Sequence, residues 1–375
     1  MFKRLSDFSK ADLENKKVFL RVDFSVPMER GELKEIYQIK TQRETIGFLA
    51  SAGAKVALVS HTESKNNVLK DTFVEIGKVL GQEIAFEDDI LNPKLDSQFT
   101  LFENIRKYEG EEMNDSGFAG DLAKNFDLYV NDAFSVSHRE HASVSAITKS
   151  LPSYAGFLLE KEIENLSMVL AEPADGKMII LGGAKVSTKL PVIKNFLDKA
   201  NHILVAGALA NTIFKAKGLK VGQSVVEEIE VQIDWEDPKI VLPKDIAVSE
   251  DRSGRSGSKM MPVHDLEENQ MILDIGPETI KEFSEIINDS KIVIFNGPVG
   301  LAEVDVFSGG TKAILDSIIR SGAFSVVGGG DTLALLEKWG LIDKLGYVST
   351  GGGAMLEFLA GNRLPGLEAL GYYER

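Results

Sequence analysis

The sequence predicts two Rossmann-like α/β domains, each built on a parallel sheet, and three observations lead there. The chain has 375 residues, more than one hydrophobic core ordinarily organises. Short Val/Ile/Leu-rich runs alternate with amphipathic stretches along its whole length, the grammar of helices packed on a parallel sheet. Near the middle, "SLPSYAGFLLEKEIENLSMVLAEPADG" interrupts that alternation: Pro152 and Gly156 precede a charged amphipathic segment, and Pro173 to Gly176 end it. The expected division is residues 1–155, a joining helix over 156–173, and a second domain over 174–363.

The strands expected in the first half are "KVFLRVDF", "AKVALVSH" and "DLYVNDAF". In the second half they are "KMIILGG", "HILVAGA", "KIVIFNG", "FSVVGGG" and "LGYVSTGGG". Runs this short and apolar on both faces suit strands covered by helices on each side. Between them, "KTQRETIGFLASAG" and "GTKAILDSIIRSG" have helical spacing, the second closed by a C-terminal glycine.

Composition narrows the chemistry. Cysteine is absent, which removes disulfides, thiolate metal sites and cysteine nucleophiles and fits a reducing compartment. The N-terminal "MFKRLSDFSKADLENKK" has no apolar core of a signal peptide, and no uncharged run is long enough to span a bilayer. A cytoplasmic protein without membrane contact is expected. The net charge of −15 argues against nucleic acid as a partner. Acidic stretches such as "VVEEIEVQIDWEDP" read as solvated surface.

Five breaks in the second half share one composition: Gly182-Gly183, Gly207, "NGPVG" at 296–300, "GGG" at 328–330 and "GGG" at 351–353. Beyond the carboxyl ends of parallel strands, bare backbone and helix N-termini suit phosphate. No G-x-x-x-x-G-K-[ST] and no G-x-G-x-x-G after a strand is present, so the site follows another design. Lys185 stands one residue past its glycine turn, and a helix beginning near Ser187 would put Lys189 in the first turn. A cation there opposes the helix dipole and is better explained by an anion. Asp331 in "GGGDTLALL" fits an N-cap or a ligand of nucleotide-bound Mg²⁺. Glu303 reads as a ribose acceptor or plain surface.

The first half carries polar residues at its strand ends instead: Asp23, Ser25, His61, Asn131 and Asp132. "SVSHREHAS" adds His138, Arg139 and His141, and "FENIRKYEG" adds Arg106. Arginine between the histidines opposes a metal and suits a small phosphorylated acid. One domain for nucleotide phosphates and one for a small anion suggest phosphoryl transfer, which needs positioning and charge neutralisation more than acid–base groups. A carboxylate acceptor is already ionised at neutral pH and requires no general base.

"KKVFLRVDFSVP", "YVNDAFSVSHREHAS", "YAGFLLEKEIENL", "IILGGAKVSTKL", "FNGPVGLAE", "VVGGGDTLALLEKW" and "STGGGAMLEFLAGNRLPGLEAL" resemble, in order, the motifs of the phosphoglycerate kinase family. The resemblance implies a hinge-bending monomer with a cleft between its domains, its C-terminal residues 364–375 packed back on the first domain. It implies transfer of the acyl phosphate of 1,3-bisphosphoglycerate to MgADP, giving 3-phosphoglycerate and MgATP. Carried over by position, Asp23, Ser25, His61, Arg106, His138 and Arg139 bind the acid. Gly183, Lys185, Lys189, Gly207, Asn296, Gly297, Pro298, Glu303, Gly329, Gly330, Asp331, Thr332, Gly352 and Gly353 bind the nucleotide. Asp331 serves the metal, and Lys185, Gln38 and Arg139 are the catalytic set.

Departures from the family pattern fall within that site. Ser25 replaces an asparagine, Gln38 and Ser64 replace arginines, Thr188 replaces an aspartate, and Ala206-Gly207-Ala208 replaces three glycines. Gln38 matters most, because a neutral amide hydrogen-bonds a transferring phosphoryl group without neutralising it. Lys65 and Arg43 are the nearby cations that would compensate. Three readings stay open: an active kinase of this family, a nucleotide-binding paralogue with weak or no catalysis, and a kinase for a different small carboxylic acid.

Overall fold

The structure is a computed structural model that describes residues 2–29, 32–62, 69–229 and 233–374. Ser64 and Lys65 lie outside the described residues. The chain forms two compact units, residues 1–164 with 363–375, and residues 165–362.

In the first unit six parallel strands make one sheet, in the spatial order Ala85–Glu87, Phe99–Phe102, Lys55–Val59, Lys17–Arg21, Leu128–Asn131, Ser153–Ala155. Its centre is held by the register of Val18 with Val56 on one side and Leu128 on the other. Val18, Leu20, Val56, Leu58 and Val130 are buried with Ile39, Ile46 and Leu49 in one core. Each such side chain contributes on the order of 1.5–3 kcal/mol by leaving water. Three strands went unread in the sequence. Ala85–Glu87 and Ser153–Ala155 have three residues each, and Phe99–Phe102 has four.

The second unit repeats the plan with the order Ile240–Val241, His202–Val205, Lys177–Leu181, Ile292–Asn296, Phe324–Gly328, Tyr347–Val348, again all parallel. It also carries an antiparallel sheet that the alternation did not foretell, Lys259–Pro262, Asp245–Ser249 and Met271–Ile275.

The amphipathic segment after Gly156 is the helix Phe157–Ala171, and the boundary between units falls inside it, at Glu164/Asn165. Its first N–H groups are satisfied by the buried Asp132 carboxylate, whose Oδ1 accepts from Leu158 at 2.9 Å and Leu159 at 3.2 Å. A Cβ at Gly156 would lie 2.2 Å from that oxygen, so this cap requires glycine. Near the C-terminus the short helix Pro365–Ala369 belongs to the first unit, where the Gly366 N–H donates to the Ser137 carbonyl at 2.8 Å. No helix among the described residues is long and apolar enough to cross a membrane.

Candidate active site

The first unit collects its polar side chains at the carboxyl ends of its central strands. Strand Lys17–Arg21 ends in Arg21 and leads to Asp23; strand Lys55–Val59 leads to His61 two residues on. Strand Phe99–Phe102 runs into the 3-10 turn Ile105–Lys107, where the Asn104 side chain accepts the Arg106 N–H at 3.1 Å. Strand Leu128–Asn131 opens the loop that carries half-buried His138, Arg139 and His141.

Arg21, absent from the candidates read in sequence, is fully buried. Its Nε donates to the Ser143 hydroxyl at 2.9 Å, and that hydroxyl donates to Glu111 at 2.6 Å. Its Nη2 stands 3.4 Å from His61 Nδ1. The available signal was an arginine inside an otherwise apolar strand, "VFLRV". Burial, reinforced by the charges of Arg21, Arg106 and Arg139 and opposed by Asp23, depresses the His61 pKa to about 3. The ring is therefore neutral at pH 7. With Nδ1 accepting from arginine, its proton sits on Nε2 as a donor for an anion.

Burial would raise the Asp23 pKa, but the neighbouring His61, with the donors of Ser135 and Ser25, holds it below the ordinary value. Ser25 gives Asp23 Oδ1 both its N–H at 3.0 Å and its hydroxyl at 2.6 Å, and the Ser135 hydroxyl bonds Oδ2. Ser25 thus orients Asp23. Arg106 is 5% exposed, and its Nε and Nη2 have no hydrogen-bond partner among the described residues. Among the described residues Glu112, 3.8 Å from Nε, pairs with it. A buried guanidinium left this way is a receptor for an anion. Gln38 is half-buried in the short helix Tyr37–Lys40. Arg43 is no substitute cation, because its Nε donates to the Val79 carbonyl at 2.7 Å.

In the second unit all five glycine breaks follow strands of the same parallel sheet, at one edge. Three are stitched together by backbone. Gly183 N–H donates to Pro298 O at 2.7 Å, Gly182 N–H to Asn296 O at 3.0 Å, and Gly207 N–H to Val299 O at 3.1 Å. A Cβ at Gly182 would lie 2.1 Å from the Pro298 carbonyl, so the approach is possible only without a side chain. Gly297, at φ +87°, has its N–H bonded to the Thr332 hydroxyl at 3.1 Å.

A cavity of about 160 Å³ opens beside this surface. Gly183, Gly207, Pro298, Glu303 and Asp331 line it, together with Ala208, Asn211, Val225 and Arg252. The remaining candidates are outside its lining. Asn296 is buried and donates to the Met355 sulfur at 3.7 Å; Gly329 packs on that asparagine. Gly330 begins the helix Gly330–Trp339, and Gly352 and Gly353 begin Gly353–Leu359.

Two local expectations are corrected. The helix after the lysine turn begins at Leu190, not near Ser187, so Lys189 precedes it at the cap position. The sequence that brings proline to the second helical residue sets the later start. Asp331 is not the N-cap of its helix: Gly329, at φ +106°, holds that place and leaves the exposed carboxylate free of a capping bond.

Lys185 is exposed, whereas Lys189 is 5% exposed and its ammonium donates to the Lys185 carbonyl at 3.3 Å. Burial, against the attraction of Asp331 and with the repulsion of Lys185, lowers the Lys189 pKa to about 8. No cluster of three His, Cys, Asp or Glu among the described residues forms a self-sufficient metal site. A single exposed carboxylate such as Asp331 still fits Mg²⁺ that arrives on a nucleotide and keeps water and phosphate as its other ligands.

Two parallel α/β units, one with a cluster of buried arginines and one with a glycine-lined cavity beside a lysine turn, fit a phosphotransferase of the two-domain α/β class. The phosphoglycerate kinase family model matches residues 8–362. Phosphoglycerate kinase of Rubrobacter xylanophilus is 41% identical over 377 residues, covering 96% of each chain. That of Moorella thermoacetica is 38% identical over 381 residues, covering 96% of this chain and 97% of its own. Among solved structures, phosphoglycerate kinase from Pyrococcus horikoshii OT3 superposes with a TM-score of 0.89 at 32% identity, and that from Coxiella burnetii with 0.83 at 32%, each covering both chains fully. The chain belongs to the phosphoglycerate kinase family.

Proposed function

We propose that the chain transfers the acyl phosphate of 1,3-bisphosphoglycerate to MgADP, giving 3-phosphoglycerate and MgATP, with the residues described above in the following roles. A terminal β-phosphate oxygen of ADP attacks the acyl phosphorus, and the bond from phosphorus to the carboxyl oxygen breaks. The leaving carboxylate keeps the electron pair and stays ionised, so no proton moves. Arg106 and Arg139 bind the anionic ends of the acid, neutral His61 donates through Nε2, and Asp23 orients the hydroxyl-bearing chain. Lys185 follows the moving group, with Lys189 behind it. The glycine turns present their N–H groups to phosphate. Mg²⁺, held from the protein side by Asp331, offsets phosphate charge when bound.

The observation that carries this reading is Lys189. A buried ammonium with three donors and one long bond to a carbonyl, set against a glycine turn, is built for an anion. Gln38 contributes a hydrogen bond and no charge, consistent with a kinase slower than one bearing arginine there. A monomer in the cytoplasm accords with the family and the composition.

A coupled assay with 1,3-bisphosphoglycerate and MgADP tests the proposal. Turnover well above background is expected; background turnover alongside measurable MgADP binding would overturn it.

A further inference from the structure

The acidic stretch that reads as plain surface contains Glu227, and its carboxylate is seated on the lysine turn. One oxygen, Oε2, accepts the N–H of Val186 at 2.7 Å and of Ser187 at 3.2 Å. These are two backbone groups between Lys185 and Lys189, in a segment between strand and helix whose own bonds, Lys189 N–H to Val186 O at 2.9 Å and Thr188 hydroxyl to Lys185 O at 2.9 Å, close the turn on itself. The bond to the Ser187 hydroxyl, those two N–H groups and the charge of Lys189 keep the Glu227 pKa below its ordinary value against weak burial.

The other end of the Glu227 segment is fastened to the helix Gly207–Ala216, whose first turns line the cavity. Glu227 N–H donates to the Thr212 hydroxyl at 3.0 Å, and that hydroxyl donates to Ala208 O at 3.0 Å. Asn211 Nδ2 donates to Val225 O at 3.2 Å, and Asn211, Ala208 and Val225 are all cavity residues. Ser224 closes the clamp by accepting the Ile272 N–H at 2.8 Å. The strap 224–227 therefore runs from the cavity wall to the turn between the lysines.

We infer that Glu227 is a positioning residue: its carboxylate fixes the 184–189 turn, and hence Lys185, relative to the wall of the nucleotide cavity. The inference rests on the role proposed for Lys185. The acceptor function belongs to one oxygen, so a glutamine, whose amide oxygen accepts the same two N–H groups, serves in its place; an alanine leaves both donors without their partner and the turn tied to itself but not to the cavity wall. A turn misplaced by about 1 Å costs about 10- to 100-fold in rate.

The test compares Glu227→Ala, Glu227→Gln, Thr212→Val and Lys185→Ala in the full chain, by kcat with 1,3-bisphosphoglycerate and MgADP and by calorimetry with MgADP. Expected for Glu227→Ala is a fall in kcat of about 10- to 100-fold with MgADP affinity within about twofold of wild type. Glu227→Gln should stay within about threefold of wild type in both. Unchanged kcat in Glu227→Ala, or an equal loss in the glutamine variant, overturns the inference. If circular dichroism shows that the alanine variant does not fold, Thr212→Val carries the test: it loosens the strap at its other end and should lower kcat, and unchanged kcat overturns the inference. Lys185→Ala separates the two claims. A loss there without one in Glu227→Ala removes the positioning role alone, while no loss in Lys185→Ala removes the reading beneath it.

Discussion

Arg21 Nη2 lies 3.4 Å from His61 Nδ1, both groups buried, so the histidine faces a permanent cation. Burial is the larger influence on the histidine's charge, and the arginine adds to it. A guanidinium cannot give up its proton, so beside it a ring already desolvated by burial is still less able to gain one.

His61 should therefore titrate far below its ordinary value of 6.5, at about 3. As pH falls below 6.5 the unfolded chain protonates this residue and the folded one does not, so its contribution to stability declines between pH 6.5 and about 3. Above 6.5 it contributes no pH dependence. Ring chemical shifts of His61 should stay flat from pH 5 to pH 8, assigned by comparison with His61→Gln. A midpoint between pH 6 and pH 7 would show that burial and the neighbouring cations do not hold the ring neutral.

Arg106 carries the opposite trade. Its guanidinium is buried, and two of its nitrogens have no hydrogen-bond partner among the described residues, which costs stability in the absence of an anion. Arg106→Met keeps the side-chain stem and removes the charge. The thermal midpoint of the ligand-free protein should hold or rise, by about 1 kcal/mol equivalent. Affinity for 3-phosphoglycerate should fall about 10- to 100-fold, measured by calorimetry. A variant that loses stability while keeping its affinity would place Arg106 among structural residues.

The central strands were legible because apolar runs such as "KVFLRVDF" and "KMIILGG" are buried on both faces and carry their own pattern. Short edge strands carry none: Ala85–Glu87 and Ser153–Ala155 are defined by the neighbour they pair with. The antiparallel sheet was hidden for a related reason, since Lys259–Pro262 is largely exposed and makes its hydrogen bonds to Asp245–Ser249. At the site, residue types told more than states. Glycines and lysines marked the turns, but nothing in "AKVSTKL" distinguishes exposed Lys185 from buried Lys189. Glu227 was unreadable because its role is a contact 40 residues away in sequence, with backbone groups that leave no trace in composition.

Gln38 is the departure expected to have the largest kinetic consequence. Of the two cations that could compensate, Arg43 is bonded to the Val79 carbonyl and Lys65 lies outside the described residues. Gln38→Arg should raise kcat with 1,3-bisphosphoglycerate and MgADP by about tenfold or more, since an arginine on a transferring phosphoryl group is worth 10³–10⁵ at most. MgADP affinity should change little. An unaltered or reduced kcat would mean that Gln38 is part of a working rearrangement that no longer calls for the charge.

Asp132 should make stability depend on pH in the direction opposite to an ordinary carboxylate. Burial lifts its pKa from 3.8 to about 7, against the Thr45 hydroxyl and the N–H groups of Leu159 and Leu158. Between those two values the folded chain holds a proton that the unfolded chain has lost. Stability from this group therefore rises as pH falls from about 7 toward 4, with a limiting slope of about 1.4 kcal/mol per pH unit. Above pH 7 the buried charge is a constant cost. Asp132→Asn retains an oxygen to accept from Leu158 and Leu159 and cannot ionise, so the slope should disappear in that variant. Urea denaturation of both proteins at pH 5, 6, 7 and 8 measures it. The stability of wild type relative to Asp132→Asn should increase with each step down; a constant difference across that range would show that Asp132 is ionised in the folded protein throughout.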